Sequence, residues 1–145
     1  MCGIAGILRS DARHIVSSDA VRAMVRSLEH RGPDDQGVHI DGPVGLGHAR
    51  LSVIDLSVGG HQPMLSRDGR YALVYNGEVY NYRELRKELE GLGCDFSSQS
   101  DTEVVLQVLM RMGSQGVERL EGMFAFAFWD RDSGSLLLAR DRLGI

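Results

Sequence analysis

A cysteine stands directly behind the first methionine, in Met1-Cys2-Gly3-Ile4-Ala5-Gly6. Removal of Met1 would leave Cys2 with a free α-amine and a thiol on one residue. An α-amine and a thiol titrate within about one pH unit of each other, close to neutrality. Such an amine can take the proton of its own thiol, directly or through one water. That makes a nucleophile and its base without a histidine. Gly3 leaves room for a substrate to approach. The same residues also fit a plainer reading, a small side chain opening a strand.

The other residues with chemical capacity lie far along the chain. Arg50 interrupts the apolar, strand-like run His48-Ala49-Arg50-Leu51-Ser52-Val53-Ile54-Asp55. A buried guanidinium is costly without a carboxylate, and its planar fork matches a carboxylate edge. A substrate carboxylate and a structural ion pair meet that need equally well. Asn76-Gly77 follows the strand-like Tyr71 to Tyr75 and is a turn pair. A backbone N–H and a side-chain amide aimed at one point would make an oxyanion hole; an ordinary turn is the alternative. Asp101 falls in the first turn of a helix, where helix-end charge accounts for it and so would a substrate ammonium. His48 reads as a packed, hydrogen-bonded side chain, and His61 as a loop histidine. Asp34 and Asp35 follow the Gly32-Pro33 turn and have no His or Cys beside them, so they make a poor metal site. Arg31 in the same loop would hold the Cys2 strand by salt bridges, and a solvated turn is the plainer alternative.

These residues need elements to position them, and the patterning supplies them. Gly3 to Leu8 reads as a buried strand. Ser17 or Ser18 caps a helix with Val21, Met24, Val25 and Leu28 on one face. Gln36 to Ile40 and Val44 to Ala49 read as strands joined at Asp41-Gly42-Pro43. Asn81 caps a second helix, Glu84 completes a capping box, and Leu85 and Leu89 face inward. Cys94 to Gln99 reads as a short strand with Cys94 as apolar filler. Ser100 and Glu103 form another capping box, and that helix runs to about Met112 with Val104, Val105, Val108 and Leu109 inward. Met123 to Asp130 sets Phe124, Phe126 and Phe128 against Ala125, Ala127 and Trp129, a strand with two buried faces. Ser135 to Arg140 is its hairpin partner.

Composition narrows the class. The 145 residues fit one domain, 43% hydrophobic and 25% charged, as in ordinary globular proteins. No apolar run reaches the ~18 residues of a membrane span. A net charge of -4 argues against a general nucleic-acid binder. Cys2 and Cys94 cannot form a disulfide framework and point to a reducing, cytoplasmic setting.

Taken together, several segments resemble the class II glutamine amidotransferase domain. They are Met1 to Gly6, His30-Arg31-Gly32-Pro33-Asp34-Asp35, Arg50 to Asp55, Gly60-His61-Gln62-Pro63-Met64, Tyr75-Asn76-Gly77-Glu78-Val79-Tyr80-Asn81, Ser100 to Glu103 and Ala139 to Ile145. Within that class the chain is similar to the N-terminal glutaminase domain of glutamine-hydrolysing asparagine synthetases. The resemblance implies an α+β fold, a four-layer αββα sandwich of the N-terminal nucleophile hydrolase type. It implies that Cys2 attacks the carboxamide of L-glutamine, with Asn76 and Gly77 as oxyanion hole. Arg50 would hold the α-carboxylate and Asp101 the α-ammonium. Glu78 and the Leu51, Ser52, Val53 and Ile54 backbone would line the same pocket.

The resemblance implies no cofactor or metal in this chain. ATP and Mg are expected only for a synthetase domain, the partner that follows in longer family members. No phosphate-binding Gly-rich loop occurs here. The ending on Ile145 suggests a glutaminase domain, 1–145, incomplete at its C-terminal end, with an exposed sheet edge and room for a homodimer. Two other readings stand beside this one: a related amidotransferase with a different ammonia acceptor, and a catalytically silent interaction domain in which Met1 is kept.

Overall fold

The structure, a computed structural model, describes residues 1–11 and 13–145. Two antiparallel sheets stack between helices. The first has the order β1 (Gly3–Leu8), β3 (Val44–Arg50), β2 (Asp35–Asp41). The second has the order β4 (Met64–Leu65), β5 (Tyr71–Val79), β6 (Gly122–Asp130), β7 (Ser135–Arg140). Helix α1 (Ser18–Ser27) covers the first sheet, and α2 (Tyr82–Gly91) and α3 (Asp101–Met112) cover the second.

The alternation in β3 explains the stacking. Gly45 and Gly47 face α1, and a side chain at either would collide with Val21, or with Val25 and Val21. Their bareness lets the helix lie close to the sheet. Val44 and Leu46 point the other way and pack between the sheets with Ala72, Val74, Ala127 and Trp129. The far face of the second sheet presents Leu73, Tyr75, Phe124, Phe126 and Phe128 to Leu85, Leu89, Val104, Val105, Val108 and Leu109 of the helices. Burying a leucine as fully as Leu73 contributes about 1.5–3 kcal/mol over leaving it exposed. The layers therefore run helix, sheet, sheet, helices. This is the αββα arrangement, and the two-faced reading of β6 follows from its place in the middle of it.

Five local expectations are corrected. Asn76-Gly77 makes no turn: β5 runs straight through it, and Gly77 is absent from the positive-φ glycines. Asn81 stands at the N-cap position of α2, but its side chain makes no capping hydrogen bond. Its amide instead donates to the Arg119 carbonyl at 2.9 Å and accepts from the Glu121 N–H at 3.1 Å, tying the helix start to the approach to β6. Cys94 to Gln99 is no strand, because side chains take its donors. Glu103 accepts from the N–H groups of Ser97 and Ser98, and Asp55 from that of Gln99. Glu103 is thus spent on the loop rather than on the Ser100 N–H, although Ser100 does cap α3 through Thr102 N–H. Met24 is 38% exposed, so only Val21 and Val25 of the α1 stripe are fully buried.

Candidate active site

The site grows from an unfinished sheet edge. Strand β4 is two residues long and pairs only with Leu73 and Ala72. Past that point β5 has no neighbour on that side. In an antiparallel strand the backbone groups of alternate residues point to the same edge. Tyr80 N–H reaches the Glu121 carbonyl beside β6, so even-numbered residues face β6 and odd-numbered ones face the open edge. Side chains supply what the missing strand would have given. Gln62 Oε1 accepts from Tyr75 N–H at 2.6 Å, and His48 Nε2 donates to the Tyr75 carbonyl at 3.1 Å. Asp101 Oδ2 accepts from Val79 N–H at 3.1 Å. Gly77 lies between these positions, and its N–H points off the same open edge. A side chain there would collide with the Met123 carbonyl and the Phe124 backbone, which is why the position is glycine.

A cavity of about 210 Å³ opens at this edge, and Cys2, Arg50, Asn76, Gly77, Glu78 and Asp101 all reach it. Cys2 sits at the head of edge strand β1. Its Sγ accepts from Leu51 N–H at 3.3 Å and lies 3.5 Å from the Leu51 carbonyl, so the backbone of Leu51 fixes where the sulfur sits. Arg31 Nε donates to the Cys2 carbonyl at 3.0 Å. The expected salt-bridge role of Arg31 is thus a hydrogen bond to the backbone. Met1 lines the cavity beside Cys2.

Arg50 is 7% exposed. Its guanidinium donates to the carbonyls of Ser57, at 2.9 Å, and Asp55. It forms no ion pair among the described residues. The structural ion pair that would have satisfied this charge is absent, and the charge faces the cavity. Gly60 makes room for it, since a side chain there would overlap the guanidinium. Asp101 is 4% exposed and accepts from the Tyr75 hydroxyl at 2.7 Å. Burial pushes its carboxyl above the ordinary carboxylate range, against the pull of its hydrogen bonds from Tyr75 and Val79. The Tyr75 hydroxyl is itself pushed up, by burial and then by the Asp101 charge, so it stays a donor.

Not every residue expected at the pocket lines this cavity. Leu51, Val53 and Ile54 line it, whereas Ser52 lines a neighbouring recess with Asp34 and donates its N–H to Asp34 Oδ2 at 2.8 Å. His61 pairs with Asp35 at 2.6 Å on that outer side. His48 is fully buried, and burial holds its imidazole down at about 4, so it is neutral near pH 7. Asn76 Oδ1 is buried with no hydrogen-bond partner among the described residues. Sequence reasoning missed Tyr75, Gln62 and Gly60 as parts of the site. All three stand within the motif segments, but their roles depend on partners elsewhere in the chain. Among the described residues no group of three or more His, Cys, Asp or Glu side chains could hold a metal ion. No helix of the structure is long and apolar enough to cross a membrane.

Two stacked antiparallel sheets between helix layers, with Cys2 at the head of an edge strand beside the cavity, make a fold of the N-terminal nucleophile hydrolase type. The family model described as a glutamine amidotransferase domain matches residues 1–145, and the chain belongs to that family. Asparagine synthetase [glutamine-hydrolyzing] 1 of Bacillus subtilis is 41% identical over 147 residues, covering 100% of this chain and 23% of that protein. The amidase chyE of Penicillium rubens is 38% identical over 158 residues, covering 100% of this chain and 23% of that protein. The chain thus spans about a quarter of these relatives. Among solved structures, the allosteric regulatory enzyme of purine biosynthesis shares the fold with a TM-score of 0.75 at 23% identity, covering 95% of this chain and 37% of that one. The chain is a glutamine amidotransferase domain, and the relatives that it matches are longer proteins.

Proposed function

We propose that the chain hydrolyses L-glutamine to L-glutamate and ammonia through a thioester on Cys2, and that the ammonia serves asparagine synthesis in a longer protein. One observation carries the reading. Arg50 and Asp101 are both buried and of opposite charge. Neither neutralises the other, and both face the cavity that Cys2 enters. An α-amino acid brings the two complementary charges on one carbon. Its side-chain carboxamide then extends toward the sulfur.

The chemistry follows from the chain's own groups. With Met1 removed, the α-amine of Cys2 takes the thiol proton, and the sulfur attacks the carboxamide carbon. The oxygen that becomes negative is met by the Gly77 N–H and the Asn76 side-chain amide. The amine returns its proton to the nitrogen, the C–N bond breaks, and ammonia leaves a γ-glutamyl thioester. Water then attacks the thioester carbon and gives its proton to the amine. The C–S bond breaks, and glutamate and the free thiol are restored. Leu51, Val53, Ile54 and Glu78 bound the pocket.

ATP and Mg belong to a synthetase domain outside these residues, and no step above uses them. That domain is the partner this reading implies, in the cytoplasm and with residues 1–145 as part of its glutaminase domain. Homodimerisation is compatible with the open sheet edges. The match to the amidase chyE favours a second reading, in which the same glutaminase half feeds another acceptor. Cys2→Ala is the test of the hydrolysis. The variant should release no ammonia from glutamine, and turnover at the unaltered rate would overturn the thioester mechanism.

A further inference from the structure

The open edge of β5 carries a residue tied at every polar atom. Tyr75 gives its N–H to Gln62 Oε1, receives His48 Nε2 at its carbonyl, and gives its hydroxyl to Asp101 Oδ2. Gln62 is held in turn by its amide nitrogen on Thr102 Oγ1 of α3, at 3.3 Å. Tyr75 is 2% exposed and also lines the cavity. It is therefore fixed to the oxyanion pair Asn76-Gly77 by the chain and to Asp101 by its hydroxyl.

The distribution of bonds on Asp101 is uneven. The Tyr75 hydroxyl and the Val79 N–H both land on Oδ2, at 2.7 and 3.1 Å. Oδ1 receives no other side chain among the described residues. Those two bonds steady the carboxylate; beyond them only the neighbouring Thr102 backbone N–H bonds to it, so it keeps a side that no other described side chain occupies. A substrate ammonium needs that side. Burial alone works the other way, because it favours the neutral carboxyl. The tyrosine donor helps keep the charge in a place that would otherwise shed it.

We propose that Tyr75 is the positioning residue that makes this site selective for an α-amino group, by steadying Asp101 with that side presented to the cavity. The proposal rests on the reading of Asp101 as the ammonium seat. It goes beyond it in assigning the selectivity to a hydroxyl that touches no substrate. Loss of that hydroxyl leaves Asp101 free to rotate and easier to protonate. Glutamine should then lose most of its advantage over glutaramate, the same molecule without the α-amine. The loss of a hydrogen bond to a charged group corresponds to about tenfold or more.

The experiment compares kcat/KM for glutamine and for glutaramate in the full chain and in Tyr75→Phe, each with an N-terminal Cys2 verified by mass. The expected result is a strong preference for glutamine in the parent chain that shrinks about tenfold in Tyr75→Phe. The shift should fall mainly on the KM for glutamine, with glutaramate turnover little changed. A variant that slows both substrates equally, or neither, overturns the proposal while leaving the glutaminase reading intact. A parent chain that hydrolyses neither substrate overturns both. If Tyr75→Phe does not fold, the 13Cζ resonance of Tyr75 in Cys2→Ala replaces it. Glutamine should shift that signal and glutaramate should not; an equal response to both overturns the proposal.

Discussion

Two arginines, one at each end of the sandwich, are used in opposite ways. Arg70 stands beside the β6–β7 hairpin and grips Asp130 with two bonds of 2.8 Å. That pairing holds the Asp130 carboxyl well below the ordinary carboxylate range and raises Arg70. Its charge is spent on the fold. Arg50, at the site end, is the more buried of the two yet has no carboxylate, only the carbonyls of Ser57 and Asp55. Asp101 is likewise buried and holds only neutral donors. The difference teaches how this site is built. Arg70 is neutralised within the chain, whereas Arg50 and Asp101 keep charges that the proposed amino-acid ligand would complete. The cost of burying them is offset by neutral hydrogen bonds that steady the groups without neutralising them.

The comparison breaks most sharply at Arg50. Arg50→Ala should raise the KM for glutamine by the equivalent of ~2–5 kcal/mol, the range for losing one partner of a buried charged contact. Steady-state kinetics of ammonia release would check it. Arg70→Ala is the control. It should leave that KM unchanged and lower only the thermal midpoint. Equal effects on KM would erase the distinction between the two ends.

His48 sharpens the point, because this buried base at the site end is kept uncharged. Its pKa of about 4 lies below the unfolded value of 6.5. The unfolded chain therefore binds the extra proton first. Stability from this group is full above about pH 6.5 and is lost as the pH falls toward about 4, a swing of about 3 kcal/mol. Urea denaturation across that window should show the slope, and His48→Gln should flatten it.

Asp101→Asn gives a smaller effect with a distinctive sign. Glutamine binding should weaken by ~1.5–3 kcal/mol, the worth of a charge-assisted hydrogen bond. Stability should not fall with it. A carboxyl whose folded pKa is raised costs stability once the pH exceeds its unfolded value. Removing that charge should hold or raise the thermal midpoint at neutral pH. In the parent chain the acid limb of kcat/KM should lie above the ordinary carboxylate range, and Asp101→Asn should displace it.

Much of this was legible in the sequence where the signal was local. The alternation of β6 and the apolar stripe of α3 predict those elements because each side chain's direction follows from its own neighbours. The motif residues Cys2, Arg50, Asn76, Gly77 and Asp101 were legible as a set, and the fold brings them to one cavity. What was not legible depends on distant partners. Asn76-Gly77 reads as a turn from its own residues, yet pairing with β6 holds it extended. Cys94 to Gln99 reads as a strand until Glu103 and Asp55 take its donors. The roles of Tyr75, Gln62 and His48 rest on partners that no local pattern announces. Ser52 alone of residues 51–54 turns to the neighbouring recess, because its N–H is taken by Asp34.

In the proposed function Cys2, freed of Met1, is a nucleophile aimed at a bound α-amino acid carboxamide. The most direct test is the intact mass of the chain before and after exposure to a diazo-ketone analogue of glutamine. The expected result is a chain without Met1 that gains a single adduct, protected by glutamine and lost in Cys2→Ala. A chain without Met1 that stays unlabelled, or that labels equally in Cys2→Ala, would contradict it.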